Sequence, residues 1–204
     1  MRSLSLRILI GLAVFASSCR TVAPPPAIDP RLAARVPEDV SAIGGFCPSS
    51  FPGLSAAFAD QRYVLIALRG SEVLTITPNQ PQPLPARHRP SSLLTEAEQL
   101  AEKSPAWVVI RGGTVLPLQG NLANLNRFLH EASVVKLTAD GVSPVRVGLE
   151  ASCPTAETAE RFERSLRAAL ALTNVSGPSK ISRDGQTVRG SLTVTPEAVR
   201  RFLR

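Results

Sequence analysis

Residues 145–152 alternate apolar and polar side chains without a break: Val145, Val147, Leu149 and Ala151 on one side, Arg146, Gly148, Glu150 and Ser152 on the other. A period of two sends successive side chains to opposite faces of a strand, so this run predicts a strand buried on one face only. Such a strand needs neighbours. Its predicted partner is Ser133–Ala139, joined through Asp140-Gly141, a strong hairpin signal. A second hairpin turns at Asp184-Gly185, with Val188, Leu192 and Val194 facing inward. Between the hairpins Thr155 caps a predicted helix running to about Thr173, whose buried stripe is Ala159, Phe162, Leu166, Ala169 and Leu170. Its other side pairs Glu157 with Arg161, Glu160 with Arg164 and Glu163 with Arg167 at i,i+4, the pattern of a solvated face. Thr195-Pro196-Glu197 opens a terminal helix by cap, N1 proline and acidic first turn.

The first half of the chain shows similar signals. A strand is expected over Asp39–Phe46, a short helix near Gly53–Ala59, and two strands, Tyr63–Arg69 and Glu72–Thr77, around Gly70-Ser71. Thr95-Glu96-Ala97-Glu98 has capping-box spacing and predicts a helix to Lys103. Ala106–Arg111 reads as a strand ended by Gly112-Gly113, and Asn121–Glu131 as a helix. The order β-α-β-β-α thus occurs twice, with glycine pairs 68 positions apart. The expectation is an α+β fold of two tandem βαββα units, each split-βαβ or ferredoxin-like, with a C-terminal β-hairpin and helix. The units would span 36–104, with a proline-rich loop at 78–90, and 105–204. They could share a sheet or pack as two.

The N-terminus reads differently. Arg2 and Arg7 precede Ile8–Ala16, an uncharged apolar run about half the ~20 residues that cross a bilayer. A short run with a basic flank and small residues after it predicts a cleaved export signal over 1–18. Its end, Ala16-Ser17-Ser18-Cys19, resembles the lipobox of bacterial lipoproteins. That resemblance implies diacylglycerol on Cys19, cleavage just before it, and a membrane partner through the lipid. Ordinary cleavage at the same small residues is the alternative and would leave Cys19 a free thiol. The expected location is the cell envelope, periplasmic or outer-membrane associated. Residues 19–35, with Pro24-Pro25-Pro26 and Pro30, read as a semi-rigid tether.

Three cysteines are present, Cys19, Cys47 and Cys153. Lipidation takes one and leaves an even pair in an oxidising compartment, so a Cys47–Cys153 disulfide stapling the two units is expected. Without Arg2 and Arg7 the basic residues fall from 23 to 21 against 16 acids, a mature charge of about +5. A dispersed positive charge favours anionic surfaces, and export argues against nucleic acid.

Catalytic and cofactor motifs are absent: no Gly-x-Ser-x-Gly, no phosphate loop, no His-Glu-x-x-His and no dinucleotide fingerprint. No metal and no cofactor are expected, since the two histidines, His88 and His130, lie far from any cysteine in sequence. The most unusual string, Gly120–Asn126, could offer ligand contacts at Asn121 and Asn124 near His130, though capping alone explains Asn121. Trp107 reads as core. The functional expectation is a non-catalytic binding or scaffolding module with a protein or anionic-polymer partner. The alternatives are a hydrolase with an unrecognised site, or a binder of anionic envelope polymers through its arginines.

Overall fold

A computed structural model describes residues 28–50, 63–77, 91–117, 125–141, 144–172 and 179–195. The fold is α+β. Among the described residues eight strands form one sheet in the order β3-β2-β1-β4-β5-β6-β8-β7, and every neighbouring pair is antiparallel. The strands are β1 (Ala42–Phe46), β2 (Val64–Arg69), β3 (Glu72–Ile76), β4 (Ala106–Arg111), β5 (Val134–Asp140), β6 (Val145–Ser152), β7 (Ser179–Asp184) and β8 (Thr187–Val194). The described helices are α1 (Pro30–Ala33), α2 (Ser92–Ala101), α3 (Leu125–Glu131) and α4 (Ala156–Leu172). The two predicted units share this sheet, because β1 of the first bonds directly to β4 of the second.

Residues of β1 are buried throughout, and β2 is buried up to Leu68. Both lie inside the sheet, with buried side chains on both faces. The front face carries α2, whose Leu93, Leu94, Ala97 and Ala101 meet Ile43, Leu65, Trp107 and Val109. The back face carries α3 and α4, where Leu129, Ala159 and Phe162 meet Ile110, Val135, Ala151 and Val188. Phe162 is 1% exposed, a burial that stabilises by about 1.5–3 kcal/mol. The rings of Phe128 and Phe162 lock α3 to α4 edge to face, 5.9 Å apart.

Several expectations are corrected here. A split βαβ inserts a third strand between two parallel ones, yet β2 bonds directly to β1, and β5 to β4. The three strands of each predicted βαββα form an antiparallel meander instead, β3-β2-β1 and β4-β5-β6. The split arrangement does occur, but it joins the second βαββα segment to the C-terminal hairpin: β6 and β7 run parallel with β8 between them, joined by α4. The glycine pairs are not equivalent either. Gly44 and Gly45 lie inside β1, whereas Gly112 and Gly113 follow β4 and Gly113 turns at φ +74°. The closing helices α2 and α4 pack on opposite faces.

The predicted tether ends earlier than residue 35. Ile28, Leu32, Val36 and Val40 are all buried against the front face. They recur at every fourth position. Asp29 caps α1 by accepting from Arg31 N at 2.8 Å, and Pro30 opens the helix. Ser91 caps helix α2, its hydroxyl accepting from Leu93 N at 3.3 Å, so Thr95 lies within the helix and not at its cap. The predicted helices near 53–59 and after Thr195 lie outside the described residues.

The disulfide is also corrected. Cys47 and Cys153 are both buried free thiols, one in the front cluster and one in the back. Cys47 follows Phe46, at the level of Ala106, whereas Cys153 follows Ser152, at the level of Arg111. They therefore stand at opposite ends of the strands and three strand spacings apart, about 14 Å laterally at ~4.8 Å each. A disulfide needs Cα atoms within ~7 Å. Parity counts cysteines but carries no geometry. Burial pushes the Cys47 thiol up to about 11, and burial followed by the Glu131 carboxylate pushes Cys153 up. Both thiols are expected to react with Ellman's reagent only after unfolding and without prior reduction. A melting temperature that drops on adding reductant would contradict this.

Gly45 faces front, where a Cβ would come 2.5 Å from the Trp107 ring and 2.7 Å from the Tyr63 hydroxyl. Gly45→Ala is expected to destabilise by about 1–3 kcal/mol through this overlap. Gly70→Ala is strained by a φ of +57° but meets no atom within 4 Å. Urea unfolding with the two variants in parallel separates overlap from strain, and only Gly45→Ala should also change tryptophan fluorescence.

Candidate functional site: an open polar sheet face

The alternation of β5, β6 and β8, with the largely polar sequence of β7, leaves the front face of these four strands polar. Register places Lys136, Glu150, Arg189 and Ser182 in one row across the four strands, and Thr138, Gly148, Ser191 and Lys180 in the next. Directly behind them are Val135, Ala151 and Val188, all buried. Among the described residues no helix covers this front quarter. Arg146, Lys180, Ser182, Arg189 and Ser191 are exposed. Gly148 keeps the surface flat, since a Cβ there would come 2.5 Å from Thr138 Oγ1.

One side is bounded by α2, which contributes Glu96. Lys136 Nζ lies 2.6 Å from Glu96 Oε2 and 3.3 Å from Glu150 Oε1, and Arg189 Nε lies 3.0 Å from Glu150 Oε2. The result is a charge ladder from α2 across β5 and β6 to β8. Partial burial pulls Lys136 down, but Glu96 and Glu150 outweigh it and hold the ammonium above its ordinary value. Burial likewise pushes Glu150 up, but Arg189 and Lys136 outweigh it and hold the carboxyl below its ordinary value. With Asp140 and Asp184 on the same face, cations and carboxylates are close to balanced. This surface is suited to many directed polar contacts more than to a bulk attraction for polyanion.

The back face carries a second feature. A half-open cavity of about 140 Å³ is lined by Gly44, Phe46, Ile66, Ala106, Leu137 and Val147 among others. It exists because Gly44, Ala106 and Ala139 supply little side-chain bulk. Its largely apolar walls can accept an apolar group near the size of a benzene ring, and they offer no chemistry beyond that.

Of the ligand contacts expected from the sequence, only His130 lies among the described residues. Asn121, Asn124, Cys19 and His88 lie outside the described residues. His130 is exposed in the last turn of α3, on the back side, while Glu150 and Asp140 face front. The structure therefore does not bring His130 and these carboxylates together. Asn126, from the same unusual string, has a structural task. Its carboxamide accepts from Leu116 N at 2.8 Å and donates to Leu116 O at 3.0 Å, pinning the segment after β4 to α3. The ladder of Glu96, Lys136, Glu150 and Arg189 was not singled out from sequence. The alternation of β6 marks Glu150 as solvent-facing, but nothing in the sequence brings Glu96 to Lys136.

No protein-family model, curated protein or solved structure matches the chain.

The ladder has a pH signature. Glu150 has its folded value depressed below 4.5, so its contribution is present above that value and is lost as pH falls through the folded one. Lys136 is raised above 10.5, so its contribution is present across the neutral range and is lost only in strong alkali. Lys136→Met should therefore cost about 1 kcal/mol at pH 7. The difference from the unsubstituted chain should shrink in urea titrations near pH 3. An equal difference at both pH values would show that the lysine contributes packing and not charge.

Proposed function

We propose that the chain is an exported envelope protein, anchored by a lipid on Cys19, whose folded body is a non-catalytic binding or scaffolding module. The basic n-region, the short apolar run and Ala16-Ser17-Ser18-Cys19 support the export and the anchor. The early entry of the chain into the core adds a spatial consequence. Ile28 is already buried, so nine residue steps separate it from Cys19, a reach of at most roughly 30 Å. A lipid on Cys19 would hold the body close to the bilayer.

The observation that carries the binding reading is the open front quarter of the sheet. Four adjacent strands present a flat surface of Ser, Thr, Arg, Lys and Glu side chains, held on a packed back face. Rigid strands position such groups better than loops do. The partner that fits is a protein surface with its own hydrogen-bonding and charged groups. An anionic polymer would meet Glu150, Asp140 and Asp184 along with the arginines.

Mass spectrometry of the mature N-terminus is expected to find a diacylglycerol-modified Cys19, and Cys19→Ser should release the folded protein from membranes. An unmodified Cys19 would end the anchor reading. A photo-crosslinking residue at Ser191 should capture one main envelope protein in cells, while the same residue at Arg164 on α4 should not. Equal capture at both positions would remove the front face as the binding surface. Capture of polymer in place of protein, lost in high salt, would move the assignment to the polyanion.

A further inference from the structure

Among the described strands the outer two of the sheet are β3 and β7, and the chain treats them differently. On β7, Arg167 Nη2 from α4 donates to Ile181 O at 2.9 Å, and Lys180, Arg183 and Asp184 place charge along the strand. A capped carbonyl and charged side chains discourage the addition of another strand. Strand β3 reads Glu72-Val73-Leu74-Thr75-Ile76 and has a single charge, at its start.

The ladder decides which backbone groups of β3 project outward. Ser41 N donates to Leu68 O at 2.8 Å, so Leu68 directs its backbone groups toward the β1 side. In an antiparallel ladder its partner must then belong to a pair that exchanges no bonds. That partner is Val73, which therefore turns its N–H and C=O out of the sheet. Thr75, two residues on, does the same. Among the described residues no hydrogen bond reaches these outward groups. At the end of the strand Arg35 Nη1 donates to Thr77 O at 2.8 Å, which closes the open stretch.

We propose that β3 pairs with β3 of a second copy of this chain, antiparallel about a two-fold axis at Leu74, so that two sheets become one. In this register Val73 exchanges both backbone hydrogen bonds with Thr75 of the second copy, and Thr75 with its Val73. Leu74 meets Leu74 on the front face, and branched side chains face one another on the back, a favourable cross-strand pairing. Glu72 stands opposite Ile76, so no like charges meet. The strand is symmetric in kind about Leu74, with a branched residue on either side. That symmetry favours a second copy over an unrelated peptide.

The pair of Leu74 residues on the axis exchanges no hydrogen bonds, which brings their Cα atoms to about 4.5 Å, close enough for a disulfide. The full chain carrying Leu74→Cys, oxidised mildly in its native membranes, is expected to give a covalent homodimer. Its yield should exceed that of Ser182→Cys on β7 by roughly tenfold. The unsubstituted chain should stay uncrosslinked, because Cys47 and Cys153 are buried and the sulfur of Cys19 is taken by the lipid of the proposed function, on which this control rests. In the unsubstituted protein the Val73 and Thr75 amides should exchange more slowly at high concentration than at low, and Thr75→Lys should abolish that dependence while leaving the melting temperature within a few degrees. Three results overturn the proposal: a Leu74→Cys dimer no more abundant than that of Ser182→Cys, crosslinking to a different protein, or amide exchange independent of concentration.

Discussion

Between β1 and β4 the indole of Trp107 lies over Gly45, where a Cβ would come within 2.5 Å of the ring. Trp107 Nε1 donates to the Tyr63 hydroxyl, which satisfies both polar groups inside an otherwise apolar cluster. The missing side chain lets a large aromatic residue sit flat on the centre of the sheet, directly under α2. Everything else is arranged around this contact. The β1–β4 ladder joins the two halves, the front cluster grows outward from Ile43, Trp107 and Val109, and the segment from Ile28 to Val40 closes over it. On the reverse of the same strand Gly44 leaves room for the back-face cavity. The two adjacent glycines therefore serve opposite faces for different reasons.

Much of the C-terminal half was legible from local pattern. The alternation of 145–152 is β6, and Thr155 does cap α4, accepting from Thr158 N at 3.1 Å. The three predicted ion pairs form at 2.8, 3.8 and 2.8 Å. These features are set by residues within a turn or a strand of one another. What could not be read is which neighbour a strand takes and which face a helix covers. The apolar stripe of α2 says that it covers something, but it covers the front of β1 and β4 because the chain crosses from the β3 edge to the middle of the sheet. That crossing is a property of topology. The opposite placements of α2 and α4, and the separation of Cys47 from Cys153, follow from it.

Other misses had a signal in the sequence. Ile28, Leu32, Val36 and Val40 repeat every fourth position, and Asp29-Pro30 is a helix start. The neighbouring prolines drew the boundary too far along the chain. Similarly, Ser91 lies directly before the Leu93, Leu94, Ala97, Ala101 stripe of α2, and it is a better cap than Thr95 because the stripe begins there. The front-face ladder belongs to a different class. Glu96 and Lys136 are forty positions apart, and only the packing of α2 beside β5 brings their charges to 2.6 Å.

Among the described residues the sheet is wider than either helical layer. Helix α2 covers part of the front, and α3 with α4 covers the opposite part of the back. The remaining front quarter can face water because its own side chains are polar. Arg146 and Lys180 gain most of their hydration there, and an apolar partner would remove it without replacement. A partner for this surface must therefore bring hydrogen-bond donors, acceptors and charges in register with the rows that end at Ser182 and Lys180. Removing any one of them should leave a desolvated group behind, so affinity at such a surface depends more on matching than on area. The same reasoning separates this surface from the β3 edge. There the backbone itself is the ligand, and the side chains of Val73, Leu74 and Thr75 need only avoid conflict. A face that selects by side-chain chemistry and an edge that pairs through backbone groups can be occupied together, because they lie at opposite ends of the sheet.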